Sequence, residues 1–276
     1  MGKLILVGTP IGNLEDMSPR GVRALEEADV VACEDTRRTR KLLSHFGIRA
    51  RSLVVYNEGN ERRKAAELLD AIKSGQTVVV VTDAGMPGLS DPGYRLVKAC
   101  ADVGLVVEAV PGPSAVITAV AISGLAPGRF VFEGFLPKKP GERRRKIAEL
   151  KEERRTIVWF ESPHRIEESL EDLLQELGPR PAALTRELTK MHEEVRRGTL
   201  DELVRSVAED PPRGEITLVV EGAIHEHRTT VPSEELASQA RRLMDEGVER
   251  KEALTRVARE TGVRRREVFD ALLEEG

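Results

Sequence analysis

Four consecutive valines, Val78-Val79-Val80-Val81, run straight into the loop TDAGMPGLSDPG at residues 82–93. An unbroken apolar run of this length reads as a buried strand. Five of the twelve loop residues are glycine or proline (Gly85, Pro87, Gly88, Pro92, Gly93), so the chain leaves the strand in a rigid loop rather than a tight turn. Loops at the carboxyl ends of parallel strands are where open α/β sheets bind ligands. Glycine lets a ligand approach the backbone, and proline holds a loop open without offering a donor. The segment therefore reads as a cradle for a small molecule held against main-chain atoms.

The same grammar extends in both directions. Residues 4–7, 30–32, 52–56, 77–81 and 106–110 read as strands. Helices fall between them: one opens at Ser18-Pro19, one covers 37–46, one carries Ala65, Leu68, Leu69 and Ile72 and ends at Gly75, and one covers 91–103. Strands alternating with helices predict a doubly wound α/β sheet. Pro111-Gly112-Pro113 marks a boundary, which makes 1–112 an N-terminal α/β domain. A second alternating half, 113–225, opens on a small-residue helix through Ser123. Its expected strands are 130–135, 156–160, 182–186 and 216–220, with helices at 143–153, 166–177 and 200–208. After His225 the strands stop. Residues 232–276 read as three short charged helices, 233–245, 250–260 and 264–273, with Gly262-Val263 between the last two. That order fits either a helix-turn-helix-like module or a plain three-helix cap.

Composition removes several functional classes. The net charge of −4 excludes a polycation that coats nucleic acid, though not a local basic patch. Aromatics make up only 3% of the chain, too few for base stacking to be the main binding mode. Two lone cysteines, Cys33 and Cys100, read as buried thiols in a reducing compartment. Neither a CxxC nor an HExxH spacing occurs and the five histidines are scattered, so no metal site is expected. No apolar run is long enough to span a bilayer, and Met1-Gly2-Lys3-Leu4 leads directly into a strand with no room for a signal peptide. The expectation is a soluble, cytoplasmic protein with no membrane partner.

Gly8-Thr9-Pro10-Ile11-Gly12-Asn13 invites a dinucleotide-binding reading, which fails. The third glycine of G-x-G-x-x-G is missing, and Pro10 removes a donor where a phosphate needs one. More specific is the ordered set formed by this loop, residues 82–93, Val110-Pro111-Gly112-Pro113-Ser114-Ala115, the segment TIVWFESPHR at 156–165 and the segment GEITLVVEG at 214–222. The set resembles the tetrapyrrole methylase superfamily of S-adenosylmethionine (SAM) enzymes. Cys33-Glu34-Asp35-Thr36-Arg37, Glu161-Ser162-Pro163-His164-Arg165 and Arg186-Glu187-Leu188-Thr189-Lys190 are similar to the small-subunit ribosomal RNA methyltransferase (RsmI) branch. The likeness runs without a gap from about Leu4 to Gly222 and on into the helical tail.

That resemblance implies two α/β domains with a SAM cleft between them, a small C-terminal helical module, and usually a homodimer. It implies 2′-O-ribose methylation of a cytidine in the decoding region of 16S ribosomal RNA within the small subunit. Gly85, Met86 and Pro87 match the family's cofactor loop, and Ser114 and Ala115 its cofactor-binding pair. Phe160, Leu184, Ile216 and Thr217 fall where the family lines the adenosine and methionine pocket, and Pro10 where the first loop faces the cleft. A proton acceptor for a ribose hydroxyl is sought among Asp35, Glu133, Glu161, His164 and Glu187. Glu161 and His164, three apart after a strand end, are the leading pair; helix capping around Ser162 and Pro163 is their structural alternative.

Arg37, Arg165, Arg186 and Lys190 are candidate phosphate contacts, set against surface ion pairing with neighbouring glutamates. The strongest charge feature is 137–155, PKKPGERRRKIAELKEERR, which concentrates Lys138, Lys139, Arg143, Arg144 and Arg145 on an acidic chain. Such a patch suits RNA phosphate. The tail from Arg241 balances its charges, leaving only Arg264-Arg265-Arg266 as a basic cluster. Two further readings stand beside RNA methylation: a methylase of a tetrapyrrole or other small molecule on the same fold, and a SAM-sensing nucleic-acid-binding protein without catalysis.

Overall fold

The computed structural model describes residues 2–223, 231–263 and 265–274. Two compact units divide the chain, Met1–Gly222 and Ala223–Gly276. The first holds two five-stranded sheets in sequence. Strands β1 (Lys3–Val7), β2 (Val30–Cys33), β3 (Leu53–Val55), β4 (Thr77–Val80) and β5 (Val106–Val110) build the first sheet in the order β3-β2-β4-β1-β5. All its pairings are parallel. Its helices are α1 (Pro19–Glu27), α2 (Thr36–His45), α3 (Glu61–Lys73) and α4 (Tyr94–Asp102).

Local chemistry sets the helix ends. Ser18 caps α1 by accepting the Gly21 N–H at 3.0 Å, and Pro19 sits in the first turn. Asp35 caps α2 by accepting the Arg37 N–H at 2.7 Å. Leu25 and Leu43 pack on one face of the sheet and Leu68, Ile72 and Leu96 on the other, so the central valines are buried from both sides.

The order of strands creates a crevice. From β1 the chain turns toward β2, on the far side of β4. From β4 it turns toward β5, on the far side of β1. Adjacent strands β1 and β4 thus send their loops, 8–13 and 82–93, in opposite directions. This is the topological switch point at which open α/β sheets bind ligands.

The second half contains α5 (Ala115–Ser123), β6 (Phe130–Phe135), α6 (Pro140–Ala148), β7 (Thr156–Glu161), α7 (Ile166–Leu177), β8 (Pro181–Arg186), β9 (Glu194–Thr199), α8 (Leu200–Glu209) and β10 (Ile216–Val220). Its sheet runs β6-β7-β10-β8-β9. Only β6 and β7 are parallel; β7-β10, β10-β8 and β8-β9 are antiparallel. The alternating pattern therefore does not give a second doubly wound sheet. One whole strand, β9, is additional to the expected set.

Edge strand β9 pairs only with β8, and its sequence EVRRGT lacks an apolar face. Its arginines hold it in place. Arg197 donates to the Ser123 carbonyl at 3.1 Å and to that of Ile122, closing the end of α5. Arg196 donates to the carbonyls of Ser206 and Asp210 at 3.2 and 2.7 Å, closing the end of α8. Cations at helix C-termini satisfy carbonyls that have no partner within the helix. One face of the second sheet packs on α6, α7 and α8 around Trp159, Leu170 and Leu184. Its other face packs on α5, with Ile11 of the first loop joining that cluster.

The second unit contains α9 (Ser233–Asp245), α10 (Arg250–Thr261) and α11 (Arg265–Glu274). They enclose a separate core of Leu236, Ala240, Leu254, Val257, Val268 and Ala271. Gly262 ends α10 in the left-handed conformation, φ +75°, that a side chain would strain. Of the three arginines at 264–266, Arg264 lies outside the described residues.

Candidate active site

The two divergent loops are fastened to each other. Thr9 donates its N–H to the Gly85 carbonyl at 2.9 Å, and Gly85 returns its N–H to the Thr9 carbonyl at 3.1 Å. The buried Thr9 hydroxyl adds a bond to the Thr82 carbonyl at 3.1 Å. Gly85 holds φ +88°, which glycine adopts without strain. The boundary segment joins at a glycine seam. A Cβ on Gly8 would lie 2.7 Å from the Gly112 Cα, and one on Gly112 would lie 2.8 Å from the Gly8 backbone. Only hydrogen fits between these two chains. Ser114 follows and caps α5.

A cavity of about 410 Å³ opens here, between the two halves of the first unit. Its size suits a small-molecule ligand. Gly85 and Met86 come from the second loop, Ser114 and Ala115 from the start of α5, and Phe160, Ile216 and Thr217 from the second sheet. These seven are positions that the sequence singles out. Phe160 stands in an aromatic corner, its ring centroid 4.9 Å from that of Phe132 and 5.5 Å from that of Phe135. Ser90, another wall residue, holds φ +62°, strained for a residue with a Cβ.

Three expected cofactor positions lie elsewhere. Pro87 is buried behind the wall. Pro10 lines an adjoining cavity. Leu184 is fully buried in the core against α6, α7 and α8, because strand alternation turns its side chain to the opposite face from Thr185.

The cavity wall also carries carboxylates outside the expected set. Glu34 accepts the Asp83 N–H at 3.2 Å, and Asp83 accepts the Asp35 N–H at 3.3 Å. The ends of neighbouring strands β2 and β4 are thereby joined. Asp91 completes the acidic wall. Burial pushes its carboxyl up to about 7, and the negative charges of Glu34 and Asp83 add to the shift. Burial raises Glu34 as well. All three lie within quoted motifs, but their convergence depends on strand order, which no local signal carries.

The expected pair Glu161 and His164 is split. Glu161 is 3% exposed, and its oxygens accept from the Ser162 N–H and the Ser169 hydroxyl, both at 2.7 Å, and from the Arg165 guanidinium. A carboxylate so occupied anchors the start of α7. His164 is exposed and lies outside the cavity wall. Among the other acids, Asp35 is bound to Arg37, which holds its carboxyl down at about 2. Lys190 likewise lowers Glu187, and Glu133 pairs with Lys146 at 2.9 Å.

The basic segment also requires correction. Arg143 is 2% exposed and bound to Asp172 at 2.6 Å and Glu168 at 3.2 Å. It ties α6 to α7 and has no face for a phosphate. Helix α6 begins at Pro140, earlier than the charge run suggests, and this register turns Arg143 inward. Arg165 is bound to Glu161 and to the Leu136 carbonyl. Arg186 pairs with Glu194 at 2.5 Å, and Lys190 with Glu187 and Glu215 at 2.9 and 3.0 Å. Lys139 pairs with Glu142, and exposed Arg37 with Asp35. Arg144 lies 3.5 Å from Asp172. Lys138 and Arg145 are exposed and make no ion pair among the described residues. No described helix is long and apolar enough to cross a membrane. No described group of three or more His, Cys, Asp or Glu is arranged to hold a metal ion.

The family model described as Tetrapyrrole (Corrin/Porphyrin) Methylases matches residues 3–204. The chain belongs to this family. Among its relatives, ribosomal RNA small subunit methyltransferase I of Mycobacterium tuberculosis (strain CDC 1551 / Oshkosh) is 50% identical over 279 residues, 99% of this chain and 95% of that protein. The protein of that name from Synechocystis sp. is 44% identical over 275 residues, 99% of this chain and 98% of its own length. The one from Thermotoga maritima is 48% identical over 222 residues, which are 80% of this chain and 99% of that protein. These matches place this methylase in the small subunit methyltransferase I branch of an S-adenosylmethionine-dependent family. Solved methylases share the fold at lower identity. Uroporphyrin-III-C-methyltransferase from Thermus thermophilus aligns with TM-score 0.54 and 23% identity over 79% of this chain and 94% of that one. The methyltransferase CobJ aligns with TM-score 0.59 and 21% identity over 81% and 95%.

Proposed function

We propose that this methylase binds S-adenosylmethionine in the cavity between its two halves and methylates the ribose 2′-oxygen of a cytidine in the decoding region of 16S ribosomal RNA. The carrying observation is a cavity whose wall combines the rings of Phe135 and Phe160 with the carboxylates Glu34, Asp83 and Asp91. Such walls fit a cofactor that carries an adenine ring, an ammonium and a sulfonium charge. The choice of RNA is supported by the near full-length match to relatives named for the small ribosomal subunit. The remaining assignments, a cytoplasmic homodimer that binds the small subunit, extend the same reading.

When bound, the cofactor supplies an activated methyl group. The protein's part is placement and proton management. Gly85 and Met86 bring backbone to the ligand, Ser114 and Ala115 keep the floor small, and Phe160 offers a ring face. Glu34, Asp83 and Asp91 complement positive charge. A ribose hydroxyl gives up a proton as it is methylated, and Asp91 is the wall carboxyl whose affinity for a proton suits neutral pH. Asp35, held near 2, and the saturated Glu161 do not suit that task.

Labelled S-adenosylmethionine, the protein and small subunits lacking the modification provide the test. Label is expected at one ribose, in a dinucleotide resistant to alkali. Label in a tetrapyrrole acceptor instead would establish the small-molecule reading. Binding without transfer would leave a sensor.

A further inference from the structure

A second cavity, of about 360 Å³, adjoins the first. Ile11, Arg38, Asp83, Ala84 and Glu215 wall both, so the two are compartments of one cleft. Their charges differ. In the first compartment Glu34, Asp83, Asp91, Glu161 and Glu215 face one cation, Arg38. In the second, Arg38, Lys41 and Lys190 face Asp83 and Glu215. An acidic chamber suits the cationic cofactor, and its neighbour suits an anion.

The cations of the second compartment are not equivalent. Lys190 is committed to Glu187 and Glu215 and acts as a neutral part of the wall. Arg38 touches Asp83 only at 3.5 Å, and its side chain is 64% exposed. Lys41 is exposed and makes no ion pair among the described residues. Both belong to α2, whose sequence TRRTRKLLSH contains no acid. Residues three apart share a helical face, so one phosphate is within reach of both. Ile11, Leu14 and Leu42 give this compartment an apolar side, suited to a base or sugar face.

We propose that the second compartment receives a nucleotide of the RNA substrate, with Arg38 and Lys41 holding the phosphate beside the ribose that is methylated. The assignment rests on reading this methylase as an RNA methyltransferase. It also adds α2 to the phosphate contacts expected of the 137–155 segment, from which the buried Arg143 drops out. Accommodating one nucleotide there, next to the cofactor chamber, places its ribose at the wall the two compartments share.

Steady-state transfer to small subunits, a salt series of subunit binding and calorimetry with S-adenosylmethionine together test the idea on the full chain. Lys41→Glu and Arg38→Gln are expected to raise KM for subunits about tenfold and to flatten the slope of log K against log salt by about one each, the loss of one phosphate contact. Lys41→Arg should restore the wild-type slope, and the Lys41 variants should keep cofactor affinity within about twofold. A wild-type slope and KM in both charge variants would overturn the assignment. So would a loss of cofactor affinity in Lys41→Glu equal to the loss of subunit affinity. Failure of the wild-type protein to label ribose is a different result, and it would remove the RNA reading itself.

Discussion

Asp91 binds its proton far more tightly in the folded chain than in an unfolded one, at about 7 rather than near 3.9. The stability that comes with the protonated form is present in full below the unfolded value and is lost as pH rises through about 7. Asp91→Asn is therefore expected to leave Tm nearly unchanged at pH 4 and to raise it by about 2–4 °C at pH 8. Calorimetry at the two pH values checks this. For catalysis the expectation reverses: wild-type kcat rises toward a plateau above about pH 7, while Asp91→Asn loses about 100-fold and its pH dependence. Undiminished kcat in the variant would remove Asp91 as proton acceptor. Sequence reading found the loop that carries this residue but not the residue itself. Glycine and proline announce loop geometry locally, whereas the raised proton affinity comes first from burial in the folded cleft and then from Glu34 arriving from the end of β2 and Asp83 of the same loop.

Elements were legible where their physics is local. All five strands of the first sheet were expected from their apolar runs. Strands β1, β2 and β4 are central and buried between helices, which demands apolar residues on both faces. The edge strands β3 and β5 carry apolar runs although β5 is largely exposed. Strand β9 was invisible because its arginines bond to the ends of α5 and α8, contacts that leave no period-two signature. Helix α6 was expected three residues late, and the error misassigned Arg143. That arginine holds α6 on α7, and breaking a buried pair from one side costs about 3–5 kcal/mol. Arg143→Gln is thus expected to lower unfolding free energy by about 3 kcal/mol, whereas Arg145→Glu changes it by less than about 0.5 kcal/mol. Urea titration of the two variants separates a structural arginine from a surface one.

At the scale of the whole molecule, one relative is shorter than this chain while others match nearly all of it. The Thermotoga maritima protein is matched over 99% of its own length yet covers only 80% of this chain. The first unit ends at Gly222 and contains both sheets and both cleft compartments; the second has its own three-helix core. A chain ending at Gly222 is expected to unfold cooperatively and to bind S-adenosylmethionine within about twofold of the full chain. Circular dichroism melting and calorimetry check both points. One structural feature bears on how functional maps of this molecule are read. Gly8 and Gly112 leave no room for a Cβ on either chain, although neither lines the cavity. In a saturation-mutagenesis map, intolerance at these positions reports steric closure of the cleft frame rather than participation in methyl transfer. Activity loss alone therefore overcounts the chemical residues here, and cofactor affinity measured beside it tells the two kinds apart.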